Sequence, residues 1–203
     1  AQVPNVLVMN VDVASRLGIA NIADLVAYAK KNPGTLNYGS GGNGSAGHLA
    51  GEMFKSQAGV YMVHIPYAGG PPAIVDLMGG RIASLVLPEG LLRPQHAAGK
   101  LRVLATSGSA RSAFMPDVPS FAEQGHPKLV IREWFAFFMP GATAAALIDS
   151  ASQAVRSAAE HKTLSGALGE MGMLASASTP AAMSERIAVE QRYWRDAIST
   201  IGI

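Results

Sequence analysis

The residues with the clearest chemical potential lie in a glycine-rich turn over residues 38–49. Its glycines allow the backbone to approach a ligand closely, and the hydroxyls of Ser40 and Ser45 add hydrogen-bond donors. The turn joins a strand-like segment to a helix-like one, so free N–H groups at the helix N-terminus can hold an anion. The turn therefore predicts an anion site, while a tight turn in which Ser45 only caps the helix explains the same residues equally well.

A second connection of the same kind follows over residues 64–73, where Gly and Pro again join a strand to a helix. Ligands of open α/β sheets bind outside the carboxyl ends of the strands, so this connection can lie beside the first. The alternative is that Tyr67 merely shields the loop. The two connections supply the predicted ligand-binding residues, which are Ser40, Asn43, Gly44, Ser45, Tyr67, Gly69 and Gly70.

The first turn also matches a nucleotide-binding pattern, because Gly42, Gly44 and Gly47 fit G-x-G-x-x-G. The strand predicted next, over residues 60–64, has no acidic residue at its end to bind a ribose. We therefore expect no nucleotide cofactor and no other cofactor.

Catalytic and metal-binding patterns are weak. His48 and Glu52 are four residues apart on a predicted helix, but the sequence places no third ligand with them. Ser45 lies near His48 without the G-x-S-x-G turn of a nucleophilic serine. We predict no metal site, no catalytic residue and no enzymatic activity, and His48 is expected to bond or pack locally.

Composition excludes several classes of protein. The chain has 203 residues, 49% of them apolar, and 16 Lys and Arg against 14 Asp and Glu. A net charge of +2, spread along the chain, is too small to indicate a nucleic-acid partner. No apolar run approaches the roughly 18 to 20 residues of a membrane-spanning helix. Cysteine is absent, which excludes disulfides and thiolate metal sites.

Strand-like and helix-like segments alternate as far as residue 106, which predicts an α/β fold with a mostly parallel sheet. Residues 107–128 are rich in Gly, Pro and Ser and should cross the surface. Residues 130–139 can cross to a second lobe. The last predicted helix carries apolar residues at helical spacing, namely Met183, Ile187, Trp194, Ile198 and Ile201.

Several spaced motifs together resemble the Bug or TctC family, the extracytoplasmic receptors of tripartite tricarboxylate transporters. The resemblance runs in order along the whole chain. The motifs include Gly42-Asn43-Gly44-Ser45, His64-Ile65-Pro66-Tyr67, Asp76-Leu77-Met78-Gly79-Gly80, Ala98-Gly99-Lys100-Leu101-Arg102 and Pro116-Asp117-Val118-Pro119.

The resemblance implies a two-lobed fold like that of periplasmic binding proteins, with a dicarboxylate, amino acid or related small acid held in the cleft. It also implies a periplasmic location and delivery of the acid to membrane transporter subunits, with no catalysis. The alternative function is a cytosolic effector-sensing domain of a transcription regulator, since such domains share the two-lobed plan. Leu87-Pro88 stands where the family often has Asp-Asn, and Ala68 where a basic residue is frequent. Both differences make the cleft less polar.

The predicted domains are a complete ligand-binding lobe over residues 13–131 and the remainder of the other lobe over residues 1–12 and 132–203. The chain starts close to a strand-like segment and shows no signal peptide, so we expect N-terminal truncation and an incomplete first lobe. Apolar surface left exposed on that lobe would then favour self-association.

Overall fold

The computed structural model describes all residues, 1–203. Contacts divide the chain into two compact units, one comprising Val3–Glu133 and the other comprising Ala1–Gln2 and Trp134–Ile203. No helix combines the length and the hydropathy needed to cross a bilayer.

The larger unit alternates strands and helices, and its first and last strands each extend one residue beyond it. Its elements are β1 (Gln2–Asn10), α1 (Val11–Leu17), α2 (Ile22–Lys31), β2 (Asn37–Ser40), α3 (Ala46–Ala58), β3 (Val63–Pro66), α4 (Gly70–Met78), β4 (Ser84–Pro88), α5 (Glu89–Ala97), β5 (Leu101–Thr106) and β6 (Arg132–Trp134).

The sheet has the strand order β3-β2-β4-β1-β5, and β6 pairs with β1 off this path. Strand β2 runs parallel to β3 and β4, whereas β1 runs antiparallel to β4 and β5. Strands β2 to β5 therefore share one direction, which confirms the predicted α/β class with a mostly parallel sheet.

Strand β1 is part of the sheet of the larger unit. Residues 1–12 are predicted in the other lobe, and in the structure residues 5–10 of β1 pair with β4 and β5. Its residues Val6 to Met9 are almost completely buried. A continuous apolar run indicates a strand buried on both faces, but it does not specify which neighbours the strand pairs with.

Helix α3 packs against the sheet through two glycines, Gly47 and Gly51, that leave no room for a side chain. A Cβ atom on Gly47 would lie 2.3 Å from the carbonyl oxygen of Val86, and one on Gly51 would lie 2.2 Å from the ring of Tyr38. Any side chain at either position would push the helix off the sheet. These glycines therefore fix where the start of α3 lies relative to β2 and β4.

The smaller unit contains α6 (Ala145–Glu160), α7 (Lys162–Glu170) and α8 (Pro180–Ile201), none of which has a fully buried residue. The predicted apolar face of α8 is its partly buried side. Exposed aromatic residues lie on the preceding segment, with Phe137 84% and Phe138 67% exposed. Self-association through such a surface stays a prediction.

Candidate ligand-binding site

Two loops meet at one edge of the sheet. The first loop, residues 41–45, follows β2, and the second loop, residues 67–69, follows β3. Because β2 and β3 are parallel and Ser40 pairs in register with Pro66, the two loops start side by side. The amide of Tyr67 also donates to the carbonyl of Ser40 across 3.1 Å. The sequence predicts this arrangement, and all seven predicted residues lie at this edge.

The first loop leads into the N-terminus of α3 through a hydrogen-bonded turn. Gly42 and Gly44 adopt φ angles of 128° and 76°, which residues with a side chain rarely adopt. The Ser45 hydroxyl accepts from the amide of His48 at 3.2 Å and so caps the helix, as predicted. The amides of Ala46 and Gly47 have no acceptor within the protein. Gly47 is also buried, so its free amide favours a bound acceptor.

The second loop leads into the N-terminus of α4, which no side chain caps. Gly69 precedes the helix with a φ of 101°, and Pro71 and Pro72 follow Gly70 in the first turn. Proline has no N–H, so these two residues remove donors that would otherwise lack partners there. The amides of Gly69 and Gly70 remain without an acceptor in the protein.

The hydroxyl of Ser40 is occupied by its own turn. Ser40 is fully buried, and its Oγ lies 2.7 Å from Nε2 of His64. The same oxygen contacts the carbonyl of Gly42 at 3.1 Å and accepts from the amide of Gly42 at 3.2 Å. A substrate cannot reach this hydroxyl, so the pair formed by Ser40 and His64 is not a nucleophile and its base.

The hydroxyl of Tyr67 is also occupied. It donates to Oδ2 of Asp76 at 2.9 Å, and Arg81 forms an ion pair with the same carboxylate at 2.7 Å. Burial and the bond to Asp76 raise the pKa of Tyr67. The side chain of Tyr67 therefore fixes the second loop to α4. The polar groups that this loop can offer to a ligand are those of its backbone.

The stacked imidazole rings of His48 and His64 hold the first loop through hydrogen bonds, a feature that the sequence did not reveal. The rings of His48 and His64 are 4.1 Å apart between centroids. Nδ1 of His48 accepts from the amide of Gly44 at 3.1 Å, which matches the predicted local role of this residue. His64 contacts Ser40 as described above.

Both imidazoles are neutral near pH 7. Burial and the nearby His48 lower the pKa of His64 to about 4, against a partial opposing effect of Glu52. Burial also lowers the pKa of His48. Beside the pair, Glu52 accepts from the Tyr38 hydroxyl at 2.6 Å and pairs with Lys55 at 2.7 Å. Only a neutral His48 has a free Nδ1 lone pair for the amide of Gly44.

The site contains no formal charge. Residues 39–47, 65–75 and 82–88 include no Asp, Glu, Lys, Arg or His. No group of three or more potential metal ligands occurs in the structure. The polar groups that the edge offers are therefore backbone dipoles at two neighbouring helix N-termini, which favour an anion.

Comparison with known proteins gives a consistent result. The family "Tripartite tricarboxylate transporter family receptor" (TctC) matches residues 1–203. BugT of Bordetella pertussis is 32% identical over 200 residues, covering 98% of this chain and 60% of BugT. A Pseudomonas sp. protein from the tcbD-tcbE intergenic region is 28% identical over 199 residues. The chain thus spans about 60% of the length of these relatives.

Solved structures agree with these sequence matches. R. palustris Rpa4515 with adipate superimposes with a TM-score of 0.90 at 30% identity, covering 100% of this chain and 67% of that one. A structure described as a periplasmic transporter gives a TM-score of 0.88 at 31% identity, covering 98% and 65% of the two chains. The periplasmic binding protein BugD shares the fold, with a TM-score of 0.86 at 23% identity over 100% of this chain and 67% of its own.

Proposed function

The chain belongs to the tripartite tricarboxylate transporter receptor family, and from this premise we propose that it captures a small carboxylate in the periplasm for delivery to membrane transporter subunits. The family is one of receptors and not of enzymes. A solved relative at 31% identity, described as a periplasmic transporter, supports the location. The adipate complex, at 30% identity, supports a carboxylic acid as the ligand.

The observation that carries the proposal is a pair of helix N-termini at one edge of the sheet whose first amides have no hydrogen-bond acceptor in the protein. The amides of Ala46 and Gly47 on α3 and of Gly69 and Gly70 on α4 have no acceptor in the protein. A carboxylate has two oxygens with about four acceptor positions, which matches these four donors in number. Both helix dipoles also favour a negative charge at this edge.

The seven predicted residues contribute in three different ways to the proposed site. Gly69 and Gly70 donate directly through their amides. Four others shape the loops: Ser40 and Gly44 are bonded to the two imidazoles, Ser45 caps α3, and Tyr67 anchors the second loop to α4. Asn43 is exposed at the tip of the first loop, where its side chain is available to a ligand.

Proline at residue 46 is the sharpest test, because it deletes one proposed donor at a position where the helix tolerates proline. Ala46 is the first residue of α3, where proline fits a helix, and the extended conformation of Ser45 is compatible with a following proline. Ala145→Pro makes the same change at the first residue of α6, away from the site. A lost bond to a charged group costs about 1.5 to 3 kcal/mol, which corresponds to roughly 10- to 150-fold weaker binding.

The measurement is a titration of the ¹⁵N-labelled chain with adipate, followed by amide chemical shifts, which also detect weak binding. We expect the amides of Ala46, Gly47, Gly69 and Gly70 to shift, with the neutral diamide of adipate as the control ligand. Ala46→Pro should weaken binding and Ala145→Pro should not. Equal shifts with the diamide, or equal affinity of both variants, would contradict the proposal.

A further inference from the structure

The floor between the two loops is apolar. Leu87, near the end of β4, has its methyl groups 3.7 Å and 3.3 Å from the positions that Cβ atoms on Gly41 and Gly70 would occupy. A methyl of Leu91, on α5, lies 3.0 Å from the same position on Gly70. These leucines therefore contact the backbone that carries the proposed donors.

The two leucines differ in accessibility. Leu87 is 4% exposed and belongs to the core cluster that includes Leu92 and Leu101. Leu91 is 46% exposed. Together they form a floor at Leu87 and a wall at Leu91 beside Gly70.

The two leucines that form this floor offer no hydrogen-bonding side chain to a polar substituent of the ligand. The loops and the end of β4 carry no Asp, Glu, Lys, Arg or His, as described above. The first acidic residue after β4, Glu89, is fully buried, and its Oε1 accepts from the Ser112 hydroxyl at 2.6 Å. A hydroxyl or charge placed on the leucines would lose its bonds to water without replacement.

We propose that Leu87 and Leu91 select acids whose carbon atoms next to the bound carboxylate carry only hydrogen, and reject acids with a hydroxyl there. The inference rests on the proposed function, since it assumes that the amides of both loops hold a carboxylate. The carboxylate then lies on the donors and its first methylene groups lie on the two leucines. Selectivity thus arises because the two leucines offer no hydrogen-bond partner to a hydroxyl group on the acid.

Two sets of acids with equal charge test the selectivity. Pentanoate and 2-hydroxypentanoate have the same chain length and differ by one hydroxyl. Butyrate, propionate and acetate shorten the chain by one methylene group at a time. Each buried methylene should tighten binding about fourfold. The hydroxyl should weaken binding on the order of tenfold. Both are measured by amide shifts of Gly69 and Gly70.

Three variants assign the effect to the leucines. Leu91→Asn replaces an exposed side chain and should reduce the preference for pentanoate over 2-hydroxypentanoate to near unity, and Leu87→Asn should do the same if its thermal unfolding shows a folded protein. Val75→Asn is the control, because Val75 is an apolar residue of α4 that is 62% exposed. It should leave the preference unchanged.

The outcomes separate the inference from the proposed function. If no acid shifts the amides of the two loops, the proposed function itself fails. If all the acids bind there with equal affinity, or if Leu91→Asn keeps the full preference, the carboxylate site stands and the role of the leucines is wrong.

Discussion

The two loops at the sheet edge present similar backbone donors but are held in opposite ways. The first loop is fixed by direct backbone contact of α3 with β4 at Gly47 and by two imidazoles. The second loop rests on the ends of leucine side chains and on one tyrosine hydroxyl. The same local geometry, a helix N-terminus after a parallel strand, can thus be held by backbone contacts that cannot move or by side chains that can rotate away.

A methyl group added to each helix start should give the largest difference between the loops. Gly47→Ala places Cβ 2.3 Å from a backbone oxygen that cannot move alone, so we expect a loss near the upper end of the overpacking range, about 3 kcal/mol. Gly70→Ala meets only leucine methyls at 3.0 and 3.3 Å, which can rotate away. Its cost should be below about 1 kcal/mol, because alanine also restricts the unfolded chain.

Urea unfolding of both variants measures these losses. Gly166→Ala, in α7 with open space around the added methyl, is the matched control and should be neutral or stabilising. Equal losses for Gly47→Ala and Gly70→Ala would show that the loops do not differ in compliance.

A fall in pH should give the next largest difference, because it should weaken the contacts that hold the first loop and leave those of the second loop almost unchanged. The pKa of His64 is lowered from 6.5 to about 4, and that of His48 is also lowered. As the pH falls from 6.5 towards 4, the unfolded chain binds protons that the folded chain does not, so the free energy of unfolding falls. Protonation of His48 also removes the acceptor for the amide of Gly44. The second loop has no ionisable side chain of its own except Tyr67.

The pH dependence can be followed by urea unfolding and by amide shifts. We expect the Gly44 amide to shift between pH 6.5 and 4, while the amides of Gly69 and Gly70 change little. His64→Gln should flatten the fall of stability over this range, and His161→Gln, at the start of α7, should not. If His64→Gln keeps the full pH dependence, other groups near the stack, such as Glu52, control it.

Loss of the helix cap should give the smallest effect. Ser45→Ala removes the acceptor for the His48 amide and should cost about 1 kcal/mol of stability, within the usual range of about 0.5 to 2 kcal/mol. Thr179→Ala removes a cap of the same 3.2 Å geometry from α8 and should cost about the same. Only Ser45→Ala should also weaken carboxylate binding. If neither variant changes binding, Ser45 is a cap alone.

Much of this site can be predicted because its signals are local. Glycine at Gly42 and Gly44, a cap at Ser45 and prolines after Gly70 each predict the backbone of a strand-to-helix connection. The parallel neighbours β2 and β3 then place both loops at one edge. These features depend on residues within a few positions of each other.

The side-chain contacts behind the loops could not be predicted. His48 and His64 meet only because β2 and β3 pair in the register of Tyr38 with His64 while α3 folds back over β2. The sequence likewise suggested the hydroxyl of Ser40 as a donor and Tyr67 as a ligand-binding residue, whereas pairing across strands and helices engages the hydroxyls of both. The antiparallel place of β1 is a long-range feature of the same kind.

A site without charged side chains has a consequence for capture. Ligands are steered over long distances by net charge, and that steering is screened within about 10 Å at 0.1 M salt. Dipoles at two helix ends act mainly on an acid that has already arrived, at hydrogen-bonding distance. The rate at which the proposed site captures an acid should therefore change little with ionic strength, so capture would follow the concentration of the acid more closely than the salinity around it.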